Sequence, residues 1–215
     1  MLMNVTLTLL NGLGTTIEIF FLPLLSSIPL GLVVAFGSMS RLTPLRWLCN
    51  TLVWIVRGTP LMLQLMVVYF GPYYIFGLKL GSGYRLWAAL IGFVINYAAY
   101  FAEIYRSGIQ SMPQGQYEAA KILGYSRGQT FFKIILPQVI KRILPSVTNE
   151  VITLVKDTSL AFTLSVMEMF SIAKMLAASQ SNMIPFIAAG LFYYVFNLIV
   201  ALAMEGLEKK LNYYQ

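Results

Sequence analysis

Ile19-Phe-Phe-Leu-Pro-Leu-Leu-Ser-Ser-Ile-Pro-Leu-Gly-Leu-Val-Val-Ala-Phe-Gly-Ser-Met-Ser40 runs for 22 residues without a charge. A helix that crosses a bilayer needs about 20 predominantly apolar residues. Pro23 and Pro29 fall inside the stretch. Membrane helices tolerate proline where neighbours satisfy the freed carbonyls, so the reading predicts a kinked span over roughly Gly14–Gly37. Outward from this stretch the chain keeps the same character. Of its 215 residues 58% are hydrophobic and only 11% charged, with a mean hydropathy of +0.74. Soluble domains are about a quarter charged, so this composition argues against a water-soluble fold and predicts an all-α membrane protein built as a single domain over residues 1–215. Met1–Asn11 carries no basic residue ahead of the first apolar stretch. It therefore reads as part of the first span and not as a cleaved signal peptide.

Four further apolar stretches follow, over roughly Trp47–Tyr73, Leu86–Ser107, Ile143–Phe162 and Ile184–Met204, giving about five transmembrane helices. Five spans put the termini on opposite sides, and lysine and arginine decide the sense. With the N-terminus outside, the inner segments hold Arg41, Arg46, Arg106, Lys121, Arg127, Lys133, Lys141, Arg142, Lys209 and Lys210, and the outer ones only Lys79, Arg85 and Lys174. Cytoplasmic segments carry the excess of positive charge, so the expectation is N-terminus outside, C-terminus cytoplasmic, in the inner (plasma) membrane. The same distribution accounts for the net charge of +7 without nucleic acid, since no single basic stripe is present. One cysteine, Cys49, and no histidine leave no intramolecular disulfide and no sensible zinc or haem site, and Cys49 reads as a small buried apolar residue. The aromatic cluster Tyr69, Phe70, Tyr73, Tyr74 and Phe76 reads as an outer interfacial belt in contact with lipid.

The longest polar stretch, about 107–142, lies between spans three and four on the expected cytoplasmic side. Ser111-Met-Pro-Gln114 and Ser126-Arg-Gly-Gln129 both have capping-box spacing. Gly124 stands where a helix-ending glycine belongs. The stretch therefore predicts a helix over about Met112–Leu123, a glycine turn, and a second helix reaching Pro137. Leu123 and Tyr125 flank the turn among basic residues, a surface suited to a protein partner.

Charges within spans are costly and face a cavity or a partner. Asn96, Tyr100 and Glu103 recur at i, i+4 and i+7, one face of span three; Glu150, Thr153 and Asp157 recur at i, i+3 and i+7, one face of span four. Both faces can line one cavity. Arg57, about 15 Å into span two at 1.5 Å per residue, is a donor that grips a carboxylate in a fork. Thr59 and the backbone of Gly58-Thr59-Pro60 add contacts if the helix breaks there. Lys156 and Asp157 are adjacent, so they point about 100° apart on a helix, and pairing among these charges competes with ligand contact as their role. Small residues at Ala88-Ala89, Gly92 and Ala188-Ala189-Gly190 permit close helix packing, including between two copies.

Three strings carry a family resemblance. Glu118-Ala-Ala, three residues, Gly124, nine residues and Ile134-x-Leu136-Pro137 resembles the EAA signature of ATP-binding-cassette importer permeases; Arg57-Gly-Thr-Pro-Leu61 and Leu154-Val-Lys-Asp-Thr-Ser-Leu160 resemble the polar amino acid branch of that family. The similarity covers Thr15 to Asn212. The resemblance implies a cytoplasmic coupling-helix hairpin carrying Glu118, Ala119, Ala120, Leu123, Gly124, Tyr125 and Ser126, docked on a separate ATPase subunit that binds ATP and magnesium. It also implies a second permease copy or paralogue, an extracytoplasmic solute-binding protein, and a translocation path along Glu150 and Asp157. No G-x-x-x-x-G-K-[ST] loop occurs in the chain, which fits a non-catalytic subunit with no cofactor of its own. Two other readings start from the same residues. A secondary transporter or channel driven by an ion gradient uses the carboxylates but has no need of a docking hairpin. An intramembrane enzyme lacks the common nucleophile–base pairs.

Overall fold

The computed structural model describes residues 2–81 and 83–211. Among these, all regular structure is helical. The first helix, α1 (Leu2–Ser38), is longer than the expected first span and passes through Pro23 and Pro29 without a break. It packs most extensively along α4 (Tyr84–Gln110), which corresponds to the expected third span.

The second span differs from the single helix expected over Trp47–Tyr73. The stretch forms two helices, α2 (Thr43–Arg57) and α3 (Leu61–Phe76), bent by 112° at Gly58–Pro60. The cause is local. Pro60 lacks an amide proton and drives Thr59 out of the helical region. The carbonyls exposed by the break are then satisfied from nearby. The Thr59 hydroxyl donates to Ile55 O at 2.8 Å, and the Gln64 side-chain amide donates to Val56 O at 2.7 Å and Thr59 O at 3.0 Å. Asn96 Nδ2 donates to Gln64 Oε1 at 2.9 Å, tying the break to α4. Irregular backbone at membrane depth is stable only with such partners.

After α4 come α5 (Gln114–Ile122) and a short α6 (Arg127–Gln129). The latter winds through a π-helical segment at Thr130–Ile135 into α7 (Leu136–Asp157) and a 3₁₀ segment at Thr158–Leu164. The helix expected to end at Pro137 instead runs on into α7, because the π-helical turn just before Pro137 has already left the regular hydrogen-bond pattern that its missing amide would interrupt. A 58° bend leads into α8 (Met169–Gln180), a helix the apolar pattern did not separate from the spans around it. The last helix is α9 (Ile184–Leu211). Of the described helices α1, α4 and α9 are each long and apolar enough to cross a membrane, and counting each bent pair as one span raises the number to five.

The main core gathers Phe20 of α1, Leu65 of α3, Phe93, Tyr97 and Phe101 of α4, and Leu154 and Val155 of α7. Ala88 and Ala89 are fully buried in it. A Cβ on Gly92 would stand 2.6 Å from a Leu65 methyl carbon, so α3 and α4 approach only because that side chain is absent. These small residues pack helices within the chain; Gly190, by contrast, is open. Cys49 is half-buried, where burial was expected, because α2 turns much of its surface outward. Leu25, Val33, Trp54, Ile187 and Leu191 are all more than half exposed, an arrangement unfavourable in water and suited to hydrocarbon.

Candidate substrate pocket and docking hairpin

The helix break, α4 and α7 enclose a cavity of about 270 Å³, lined by Thr59, Pro60, Leu61, Asn96, Tyr97, Tyr100, Glu150, Thr153 and Asp157. Each element contributes for a reason visible in its sequence. The break turns Thr59–Leu61 toward the other helices. The i, i+4 spacing puts Asn96 and Tyr100 on one face of α4, and the i, i+3, i+7 spacing puts Glu150, Thr153 and Asp157 on one face of α7. Six residues singled out from the sequence therefore meet here.

Three others do not line the cavity. Lys156 is exposed, rotated off the face that carries Asp157. Glu103 lies one turn further along α4 and is gripped by Arg106, with Nε to Oε2 at 3.0 Å and Nη2 to Oε1 at 2.5 Å. Arg57 lies outside the lining, its guanidinium carbon 5.4 Å from the centre of the Tyr100 ring and its Nη1 3.7 Å from Glu103 Oε1. The cause is the end of α2 at Arg57, just before the break.

Tyr97 was not foreseen. It is 1% exposed, and its hydroxyl donates to Asp157 Oδ2 at 2.8 Å. The available signal was chemical, not periodic: a phenol within a span needs a hydrogen-bond partner. Glu168 was missed as well. It is fully buried at the α7–α8 bend, where its carboxylate accepts from Phe170 N and Ser171 N at 2.6 Å each, Ser171 Oγ at 2.9 Å and Tyr193 OH at 3.0 Å. It caps α8, and Met169 N donates to Thr16 Oγ1 of α1 at 3.2 Å, so the bend is tied to α1 and α9.

At the far end of α4 the α5 turn projects from the bundle. Gly124 adopts φ +77°, Gly124 N donates to Lys121 O at 3.1 Å, and Tyr125 N donates to Ala120 O at 3.0 Å. This paired closure satisfies the last carbonyls of α5 and requires the left-handed glycine. The Ser126–Gln129 capping box forms in both directions. The one expected at Ser111 does not, because the Ser111 hydroxyl donates to Gly108 O of α4 at 2.7 Å and α5 starts only at Gln114 behind Pro113. Ala120 is buried, Glu118 and Ala119 are exposed, and Leu123 is 73% and Tyr125 38% exposed.

Residues 27–213 match the family described as binding-protein-dependent transport system inner membrane component, and the chain belongs to that family. It is a multi-pass inner-membrane protein. Among its relatives, the arginine transport system permease protein ArtQ of Bacillus subtilis is 36% identical over 205 residues, covering 95% of this chain and 92% of ArtQ. The L-cystine transport system permease protein TcyB of the same organism is 33% identical over 206 residues, covering 95% of this chain and 86% of TcyB. A crystal structure of an amino acid ABC transporter with histidines superposes with a TM-score of 0.87 at 29% identity, covering 97% of this chain and 96% of that one. The MetNI methionine ABC transporter, at 17% identity and a TM-score of 0.76, covers 95% of this chain and 96% of that one and shares the fold.

Proposed function

We propose that this chain is the permease subunit of an ATP-binding-cassette importer that moves polar or charged amino acids into the cytoplasm. The observation that carries the reading is the cavity at the helix break, where two carboxylates and the first turn of a membrane helix face the same space. Glu150 and Asp157 suit the ammonium of an amino acid, and α3, starting at Leu61 on the cavity wall, turns the positive end of its dipole toward the carboxylate. Asn96, Thr153 and the tyrosines offer further polar contacts, with Arg57 within reach of a carboxylate at the cavity edge. The likeness to amino acid permeases over nearly the whole chain supports the same reading.

The N-terminus lies outside and the C-terminus in the cytoplasm, so the α5–Gly124–α6 hairpin faces the ATPase subunit. Exposed Leu123 and Tyr125, with Glu118, Ala119 and Ser126 around a rigid turn, form the docking element there, and Ala120 fixes it to the permease. ATP and magnesium bind on that separate subunit, a second permease copy or paralogue completes the path, and an extracytoplasmic binding protein delivers the substrate. To test the reading, the chain is purified with its natural partners, placed in liposomes, and ATP hydrolysis is followed as single amino acids are added with the binding protein. Stimulation by polar amino acids and none by leucine is expected. Uptake that follows an ion gradient without ATP would overturn it.

A further inference from the structure

Arg57, Tyr100, Glu103, Arg106 and Gln110 make one line of contacts that leaves the cavity along α4. Tyr100 is a wall of the cavity, and Arg57 lies over its ring without lining the space itself. Beyond the ring Arg57 meets Glu103, but only at 3.7 Å, while Glu103 is held in two-point contact by Arg106, whose Nη1 in turn donates to Gln110 Oε1 at 2.8 Å. One carboxylate is thus claimed by two guanidiniums, and the better geometry belongs to the one remote from the cavity. Arg57 keeps a long contact and a 40% exposed side chain, so it can be drawn away with little lost. The arrangement also spans two elements, since Arg57 ends α2 at the 112° break and Glu103 and Arg106 lie on α4.

We propose that Glu103 is a positioning residue that holds Arg57 against Tyr100 as a latch on the cavity, and that Arg106 keeps this latch weak by competing for the same carboxylate. A substrate carboxylate in the cavity draws Arg57 off Glu103, and that release opens the side of the cavity toward the end of α4. Glu103 then acts through Arg57 and not by touching substrate. The inference rests on the permease reading above.

The two guanidinium partners allow a test with opposite signs. In the intact transporter complex, Glu103→Gln frees Arg57, so ATP hydrolysis without substrate rises about fivefold, the effect of an ion pair worth about 1 kcal/mol, and substrate moved per ATP falls. Arg106→Gln leaves Glu103 to Arg57 alone, so the latch tightens: substrate-stimulated turnover falls by about the same factor and basal hydrolysis does not rise. Glu103→Asp, which keeps the charge, restores a low basal rate. General damage to α4 would move Glu103→Gln and Arg106→Gln in the same direction, and that result, or unchanged basal and stimulated rates in both assembled variants, overturns the latch. If the wild-type complex shows no amino-acid-stimulated hydrolysis, the permease reading falls and the latch with it. A stimulated wild type with unresponsive variants removes the latch alone.

Discussion

Single residues in this protein are defined by which polar atom answers which. Glu150 and Asp157 share a helix face, yet they stand differently, since Asp157 accepts the Tyr97 hydroxyl and is thereby fixed in place. Tyr97→Phe deletes that donor and keeps the ring, so a loss of about 1–3 kcal/mol is expected, read as a lower unfolding midpoint of the detergent-purified complex. Glu150→Gln keeps the shape and removes a charge. If it meets the substrate ammonium, the concentration of amino acid needed for half-maximal ATP stimulation rises roughly tenfold, the order of a charge-assisted hydrogen bond of about 1.5 kcal/mol. Unchanged kinetics across several amino acids would remove Glu150 from the path. Glu168→Ala belongs to another category. It strips the α8 cap and leaves the Phe170 and Ser171 amides without their acceptor beside a fully buried position, while the Ser171 hydroxyl keeps Val166 O at 2.7 Å. A loss of roughly 3 kcal/mol is expected, seen as poor assembly with no selective change in substrate preference among molecules that do assemble.

At the scale of elements, two turns do most to shape the molecule, and both depend on backbone chemistry. The α2–α3 break follows from Pro60, and Thr59, Gln64 and Asn96 stabilise what Pro60 opens. The α5 turn follows from Gly124 at φ +77°, a conformation that costs a side-chain-bearing residue about 1–2 kcal/mol. Gly124→Val is therefore expected to distort the hairpin while the transmembrane helices persist. Helical content by circular dichroism should stay near wild type while uptake and ATP hydrolysis become uncoupled. Normal uptake by this variant would mean the hairpin does not couple.

For the whole molecule, orientation is the property that ties cavity and hairpin to their sides of the membrane. In a Cys49→Ser background, Lys79→Cys and Lys121→Cys each supply one accessible thiol. A membrane-impermeant maleimide added to intact cells should label position 79 and spare position 121 until the cells are opened. The reverse pattern would invert the topology and place the hairpin outside.

What could be read from the sequence and what could not divides along the range of the forces. The apolar stretches, the lysine and arginine asymmetry, the left-handed Gly124 and the Ser126–Gln129 box are decided by a bilayer's thickness or by contiguous backbone sterics, so the residues alone determined them. The faces of α4 and α7 were equally legible, because helical periodicity is local. The depth of the break at Pro60, the Asn96–Gln64 and Tyr97–Asp157 pairs, the burial of Glu168, the inward use of Gly92 and the exclusion of Glu103 and Lys156 from the cavity were not. Each depends on how helices rotate and cross, with Tyr97 and Asp157 lying 60 residues apart. Only the tertiary structure decides that, since packing of side chains across many helices sets the rotation of each one and no stretch of sequence contains its partners.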